Sequence, residues 1–213
     1  MPTRNGKFIT LEGGEGSGKS TQAKLLGAAL EKRGHRVTLT REPGGSPGAE
    51  LIRKLLVEGG AARWDAMAET LLFLAARRVH LRDTIVPALR RGDLVICDRF
   101  ADSTIAYQGI AGGLGRANVE QLSAMALDPG APKPDLTLIF DLPVEQGLAR
   151  AKQRGEHENR FESLGTDFHR RLRDAFLEIA RSDPGRCVVI DAQPTRELIA
   201  ASIEAIAVAR LKL

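Results

Sequence analysis

A three-layer α/β sandwich built on a five-stranded parallel sheet is the fold class that this sequence predicts. Three observations carry it. Five short β-type runs are spread along a chain of 213 residues. Most of those runs are continuously apolar instead of alternating, as strands covered on both faces must be. The stretches between them carry helical periodicity. Strands alternating with helices imply right-handed crossovers and helices on both sides of the sheet.

The elements follow in order. The first strand is placed at 7–12 (KFITLE), and a Gly-rich turn leads into a helix over 19–33 that stops at Gly34. The second strand spans 36–40 (RVTLT), and a loop rich in turn residues runs from Arg41 to Gly48. Residues 65–86 place Met67, Leu71, Leu74, Leu81 and Ile85 at helical spacing, and Pro87 is expected to kink or end that helix. The third strand is 94–98 (LVICD), followed by a helix over 117–127 that stops before Asp128-Pro129-Gly130. A second turn-rich loop reaches Asp135, and the fourth strand is 136–140 (LTLIF). Helices at 143–153 and 167–181 flank a charged segment; the fifth strand is 186–191 (RCVVID), and the last helix, about 195–210, sets Ile199, Ile203 and Ile206 on one stripe. Neither loop joins elements of different alternations and no repeat is found, so residues 1–213 read as a single domain.

Composition narrows the class further. Hydrophobic residues make up 43% and charged residues 27%, an ordinary globular balance that excludes disorder and collagen-like readings. No 18-residue apolar run is present, so no membrane span is expected. No apolar stretch of signal-peptide length precedes Glu12, which makes the cytoplasm the expected location. The net charge of +4 comes from scattered basic residues with only 4% aromatics, which does not favour a nucleic-acid partner; arginines gathered around a small phosphate ligand fit better. Cys97 and Cys187 sit in apolar strand runs and read as small core residues, neither ligands nor a disulfide. The four histidines show no metal spacing, so no metal site made of protein side chains alone is expected.

Chemistry enters at residues 13–20. Gly13, Gly14, Glu15, Gly16, Ser17, Gly18, Lys19 and Ser20 fit G-x-x-x-x-G-K-[ST], between a strand and a helix. The glycines let successive backbone N–H groups face phosphate oxygens, and the helix start adds the positive end of its dipole. Lys19 is placed to reach the terminal phosphates, with the Ser20 hydroxyl on magnesium. Asp98, closing the third strand, is the expected magnesium-side carboxylate. The nucleotide is therefore a nucleoside triphosphate with Mg2+. No Asn-Lys-x-Asp guanine motif occurs, which argues against a switch protein. The segment 150–160 holds Arg150, Lys152, Arg154 and Arg160 between two helices, as a lid that neutralises a transferring phosphoryl group would. A small-acceptor kinase follows from these features.

Five blocks then occur in order: TLEGGEGSGKST at 10–21, TREPGG at 40–45, LLFLAARR at 71–78, DRFADSTIAYQG at 98–109 and PDLTL at 134–138, with NRFE at 159–162 closing the lid. With them the chain resembles the bacterial thymidylate kinases over nearly its whole length. The resemblance implies the P-loop nucleoside triphosphate hydrolase fold, a homodimer, and ATP- and Mg2+-dependent phosphorylation of dTMP to dTDP on the route to dTTP. It implies that Glu15 accepts the acceptor's 3′-hydroxyl and that Arg53 and Arg99 hold its phosphate. Phe73 would stack on the thymine ring, with Arg77 donating to a ring carbonyl. Thr104 and Gln108 would meet the rest of the base edge, Tyr107 would pack near the sugar and disfavour a 2′-hydroxyl, and Glu42 is placed with the acceptor residues. Thr21 would join the phosphate loop in holding ATP, and Asp191, Ala192 and Gln193 would lie beside adenine. Catalytic charge would come from Lys19, Arg99 and the lid residues Arg150, Arg154 and Arg160.

Departures from the family pattern are few. Phe100 replaces a common tyrosine or histidine and loses any hydroxyl contact. Thr104 replaces a common serine. Gly16 stands where eukaryotic relatives carry an arginine, which agrees with the bacterial type. The acceptor's attacking phosphate oxygen is already anionic near neutral pH, so no general base is required. A kinase for another deoxynucleoside monophosphate or a deoxynucleoside, a non-catalytic nucleotide-binding regulator, and a DNA-binding protein remain the alternative readings.

Overall fold

The computed structural model describes residues 6–60, 63–154 and 160–213, without the side chain of Arg154. Five parallel strands form one sheet in the order β2-β3-β1-β4-β5. They are β1 (Lys7–Gly13), β2 (Val37–Arg41), β3 (Leu94–Asp98), β4 (Leu136–Asp141) and β5 (Cys187–Asp191). The sequence places all five within one residue of these bounds at each end. Central strands β3, β1 and β4 are buried almost throughout, which explains their unbroken apolar runs. At the two edges the pattern loosens: β2 is only partly covered, and Val189 of β5 is 45% exposed.

One apolar layer joins Ile9, Leu11, Ile96 and Leu138 to Leu26 and Leu30 of α1 (Lys19–Lys32) and to Ile199 and Ile203 of α9 (Arg196–Leu211). Complete burial of each such Leu or Ile stabilises the fold by about 1.5–3 kcal/mol. The opposite layer packs Ile139 and Cys187 against α8 (Thr166–Ser182). A third cluster joins Phe8, Val95 and Cys97 to Ile85 and Leu89. Cys97 and Cys187 are both buried free thiols within these layers.

Three local differences from the sequence reading matter. The turn-rich loop after β2 ends at Ser46, and a helix not assigned from sequence, α2 (Pro47–Val57), begins there. Pro47 and Gly48 resemble turn residues, yet proline is well suited to a first helical turn because its missing N–H has no partner to lose. The long helix does not end at Pro87. It runs as α3 (Ala66–His80), a π-helical turn (Leu81–Ile85) and α4 (Val86–Arg90). The wide turn directly before Pro87 accommodates the hydrogen bond that proline cannot make. Finally, the DRFADSTIAYQG block forms α5 (Ala101–Thr104) and a second π-helical turn (Ile105–Ala111). The remaining helices are α6 (Arg116–Ala126) and α7 (Val144–Arg154).

Candidate active site

The carboxyl ends of β1 and β3, neighbours in register from Lys7 opposite Leu94 to Leu11 opposite Asp98, open into one cleft. Ligands of open parallel sheets bind beyond these strand ends. The cleft lies between the phosphate loop, α2, α3 and the second π-helical turn.

At its floor, the phosphate loop turns sharply at Gly13, Gly16 and Gly18, all with positive φ. A Cβ on Gly13 would meet the Phe140 carbonyl at 2.5 Å, and one on Gly16 would collide with the Gly147 carbonyl of α7. Gly147 is equally constrained, since its own Cβ would meet the Glu15 carbonyl at 2.5 Å. The loop and the start of the lid helix therefore touch backbone to backbone. Lys19 Nζ donates to the Gly14 carbonyl at 2.7 Å and to Ser17 Oγ at 3.0 Å. Burial and the Arg99 charge push the Lys19 ammonium down to about 8, against the pull of Glu15, Asp98 and Glu12. A lysine so short of negative charge is suited to a polyanion.

Ser20 Oγ donates to Asp98 Oδ2 in a close contact. A hydroxyl and a carboxylate oxygen meeting beside a phosphate loop are the hard donors that magnesium takes. Among the described residues no group of three or more His, Cys, Asp or Glu could hold a metal. The donor set thus fits an ion shared with nucleotide phosphates.

Arg99 follows Asp98 in a left-handed conformation, φ 68°. Such a backbone costs a side-chain-bearing residue about 1–3 kcal/mol and is kept where surroundings over-determine it. Its N–H donates to the Leu11 carbonyl at 2.9 Å, and its guanidinium to the Gly13 carbonyl at 2.9 Å and Glu15 Oε1 at 3.0 Å. The Tyr107 hydroxyl donates to the same Glu15 oxygen at 2.5 Å, and Arg99 lies 4.9 Å over the Tyr107 ring. Burial alone would raise Glu15, but Arg99, Lys19 and the Tyr107 hydrogen bond hold it at about 2. Glu15 is therefore ionised across the physiological range.

The far end of the cleft is built around Arg77, which is 1% exposed. Its Nε donates to Glu42 at 2.7 Å; its Nη2 donates to the Phe100 carbonyl at 3.0 Å and to Thr104 Oγ1 at 2.9 Å. Its Nη1 is buried and has no hydrogen-bond partner among the described residues. The other Glu42 oxygen meets His80 Nδ1 at 3.0 Å, so both Glu42 oxygens are committed to orienting its neighbours. Phe73 and Phe161 lie 6.2 Å apart on the cleft wall. Gln108 Nε2 donates to Glu69 at 2.9 Å. Arg53 lines the same cleft and donates to the Pro43 carbonyl at 2.7 Å.

The expected lid residues are distributed differently. Arg160 is buried; it donates to the carbonyls of Gly60 and Leu56, both at 3.1 Å, and pairs closely with Glu69. In this structure these bonds tie the chain after the lid to α2 and α3. Arg150 Nη1 donates to the Ala192 carbonyl at 3.2 Å, beside exposed Gln193, whose backbone N–H donates to Asp191 at 3.0 Å. The Arg154 side chain and residues 155–159 of the expected lid lie outside the described residues. Thr21 is exposed in the first turn of α1. Glu12, Ser103, Glu69, His80 and Gly147 were not singled out from sequence. No local signal marks them, because their partners are distant in the chain.

A family model described as Thymidylate kinase matches residues 11–203. The chain belongs to the thymidylate kinase family. It is 54% identical to the thymidylate kinase of Caulobacter vibrioides over 98% of this chain and 99% of that one. With the thymidylate kinase of Ruegeria pomeroyi it shares 51% identity, over 97% and 96% of the two chains. A solved thymidylate kinase from Ehrlichia chaffeensis superposes with a TM-score of 0.76 at 34% identity, over 94% of this chain and 98% of that one. The parallel sheet with flanking helices is thus the P-loop nucleotide-binding fold of this family.

Proposed function

We propose that the cleft carries out the family's reaction: the chain is an ATP-dependent kinase that phosphorylates dTMP to dTDP. One observation supports the acceptor assignment above others. Arg77 lines a cleft whose opposite end is the phosphate loop, its Nη1 is buried with no partner among the described residues, and a charged donor left so is costly unless a ligand accepts from it. A pyrimidine carbonyl supplies that acceptor, with the ring held against Phe73. Thr104 and Gln108 border the same base edge. Glu15, ionised and aimed by Arg99 and Tyr107, accepts the 3′-hydroxyl, and Tyr107 sits where a 2′-hydroxyl would crowd. Arg53 and Arg99 hold the acceptor phosphate.

The backbone of residues 13–18 holds the ATP phosphates with Lys19, while Arg150 and Gln193 border the adenine side. Ser20 and Asp98 would hold Mg2+, which when bound neutralises charge on the β- and γ-phosphates. An oxygen of the dTMP phosphate attacks the γ-phosphorus. The bond from that phosphorus to the β–γ bridging oxygen breaks, and ADP leaves with its electron pair. Lys19, Arg99 and the lid arginine Arg154 neutralise the charge that spreads over the moving group.

No helix among the described residues is long and apolar enough to cross a membrane. A cytoplasmic homodimer is the form in which we expect the enzyme to work. ADP release from ATP and magnesium, measured against a panel of nucleoside monophosphates, tests the function. Rapid turnover with dTMP and far less with the others is expected. Activity with a different acceptor alone would overturn the base-pocket assignment, and nucleotide binding without acceptor-dependent turnover would favour a regulator.

A further inference from the structure

Glu12 is a buried carboxylate that the reaction above does not use. It stands one residue before Gly13 at the end of β1 and has no solvent exposure. Its Oε1 accepts the Phe100 N–H at 2.8 Å, and its Oε2 accepts the Ser103 hydroxyl at 2.5 Å. Ser103 Oγ in turn accepts from Arg99 Nη1 at 3.2 Å. Both bonds therefore bracket the left-handed turn at Arg99, φ 68°. Carboxylates are excluded from interiors unless they hold something in place.

We propose that Glu12 is the positioning residue for Arg99: by accepting the Phe100 N–H and the Ser103 hydroxyl on its two oxygens, it fixes the Asp98–Arg99–Phe100 turn and aims the Arg99 guanidinium at Glu15 and the acceptor phosphate. This rests on the reading of Arg99 as a ligand of that phosphate. Holding both donors requires the ionised carboxylate. A proton on Oε2 would make Glu12 a donor to Ser103 Oγ. Ser103 Oγ would then accept from Glu12 and Arg99 on its two lone pairs, and its own proton would need another acceptor.

Glu12 is placed to feel such a change near neutral pH. Burial, then the Asp102 charge, raises it to about 7, against the Ser103, Arg99 and Phe100 contacts. The titratable and charged groups facing it are Asp102, backed by Arg186 beside Cys187; Arg99; Cys97; and Lys19.

The test compares Glu12→Gln, Ser103→Ala and Arg99→Met by steady-state kinetics and thermal unfolding of the full chain. Gln keeps an acceptor for Phe100 but presents a donor to Ser103, so it mimics the protonated residue. We expect Glu12→Gln to lower kcat/KM for dTMP by about tenfold to a hundredfold, as a small misplacement of a positioning group does. KM for ATP should stay within about twofold of wild type. In the pH profile of kcat/KM for dTMP at saturating ATP and magnesium, wild type should fall below neutrality with two protons, one from Glu12 and one from the acceptor phosphate, whose second ionisation lies near 6. Glu12→Gln should fall with one. Wild-type kinetics and an unchanged two-proton limb in Glu12→Gln, with Arg99→Met impaired, would overturn the proposal alone. Wild-type turnover in Arg99→Met would overturn the underlying reading instead. An equal loss of affinity for both substrates would mark general damage and also overturn it. If Glu12→Gln does not fold, Ser103→Ala decides: a selective loss in kcat/KM for dTMP supports the relay, and wild-type values overturn it.

Discussion

Arg77 keeps a full charge where solvent scarcely reaches, and the side chains around it show what that demands. Glu42 is shared between Arg77 and His80, and Thr104 takes a second arginine donor. Arg77→Gln would leave buried Glu42 without its cation, and breaking such a pair costs about 3–5 kcal/mol. Both a lowered unfolding midpoint and a raised KM for dTMP are expected, with KM for ATP little changed; calorimetry and kinetics check the two effects separately. Lys19→Ala should lower kcat by orders of magnitude while unfolding stays cooperative, a comparison for circular dichroism and single-turnover assays. Protonation at Glu15 and Glu12 pulls stability in opposite directions. The folded value of Glu15 lies near 2, below its ordinary 4.5, so its contribution is present above about 4.5 and lost as pH falls toward 2. It amounts at most to the order of 3 kcal/mol before solvent screening. Glu12 is raised to about 7, so the folded state binds its proton more tightly and stability declines as pH rises from 4.5 toward 7. Urea unfolding across this range should show the decline, and Glu12→Gln should abolish it. The loop residues Gly13–Ser20 were legible because their chemistry is local in sequence. Glu12 and Glu69 were not, because each acquires its meaning from a partner that only folding delivers: Phe100 and Ser103 for one, Gln108 and Arg160 for the other.

Strands were the most readable elements. Burial on both faces leaves a continuous apolar run in β1, β3 and β4, and no other requirement competes with it. Helix α2 escaped notice because Pro47-Gly48 satisfies the needs of a turn and of a helix start equally well. The helix through Pro87 persists because a π-helical turn absorbs the lost bond, a solution that no residue pattern announces. The same limit applies to α7. Gly147 lowers helix propensity there, and the reason for it lies in its contact with the Glu15 carbonyl. Gly147→Ala improves local helix propensity by about 1 kcal/mol yet forces a methyl group into a carbonyl. We expect a net loss of about 1–3 kcal/mol in chemical denaturation. A raised KM for ATP should accompany it, because α7 can yield only by drawing away from the phosphate loop.

Five large apolar side chains stand exposed on three helices that follow one another in space. Leu51 and Leu55 of α2, Met67 and Leu71 of α3 and Met125 of α6 are 67%, 40%, 41%, 51% and 77% exposed. Because α2 packs on α3 and α3 on α6, these side chains lie on neighbouring helices. We propose that this patch serves the homodimer expected from sequence. Sedimentation should give twice the chain mass, with a melting temperature that rises with protein concentration. Leu71→Glu should yield the monomer. The fold class and the five strands could be read in advance, since each rests on short-range patterns. The contacts of Arg160 with Leu56, Gly60 and Glu69 could not be read in advance, because these partners are brought to it only by folding. A different kind of consequence attaches to the close approach of Gly16 and Gly147. Any side chain at position 16 meets the α7 backbone, so this lineage cannot gain an arginine there by one substitution. Positive charge at that point of the phosphate loop can come only together with a displaced α7, so the two segments can change only as a pair.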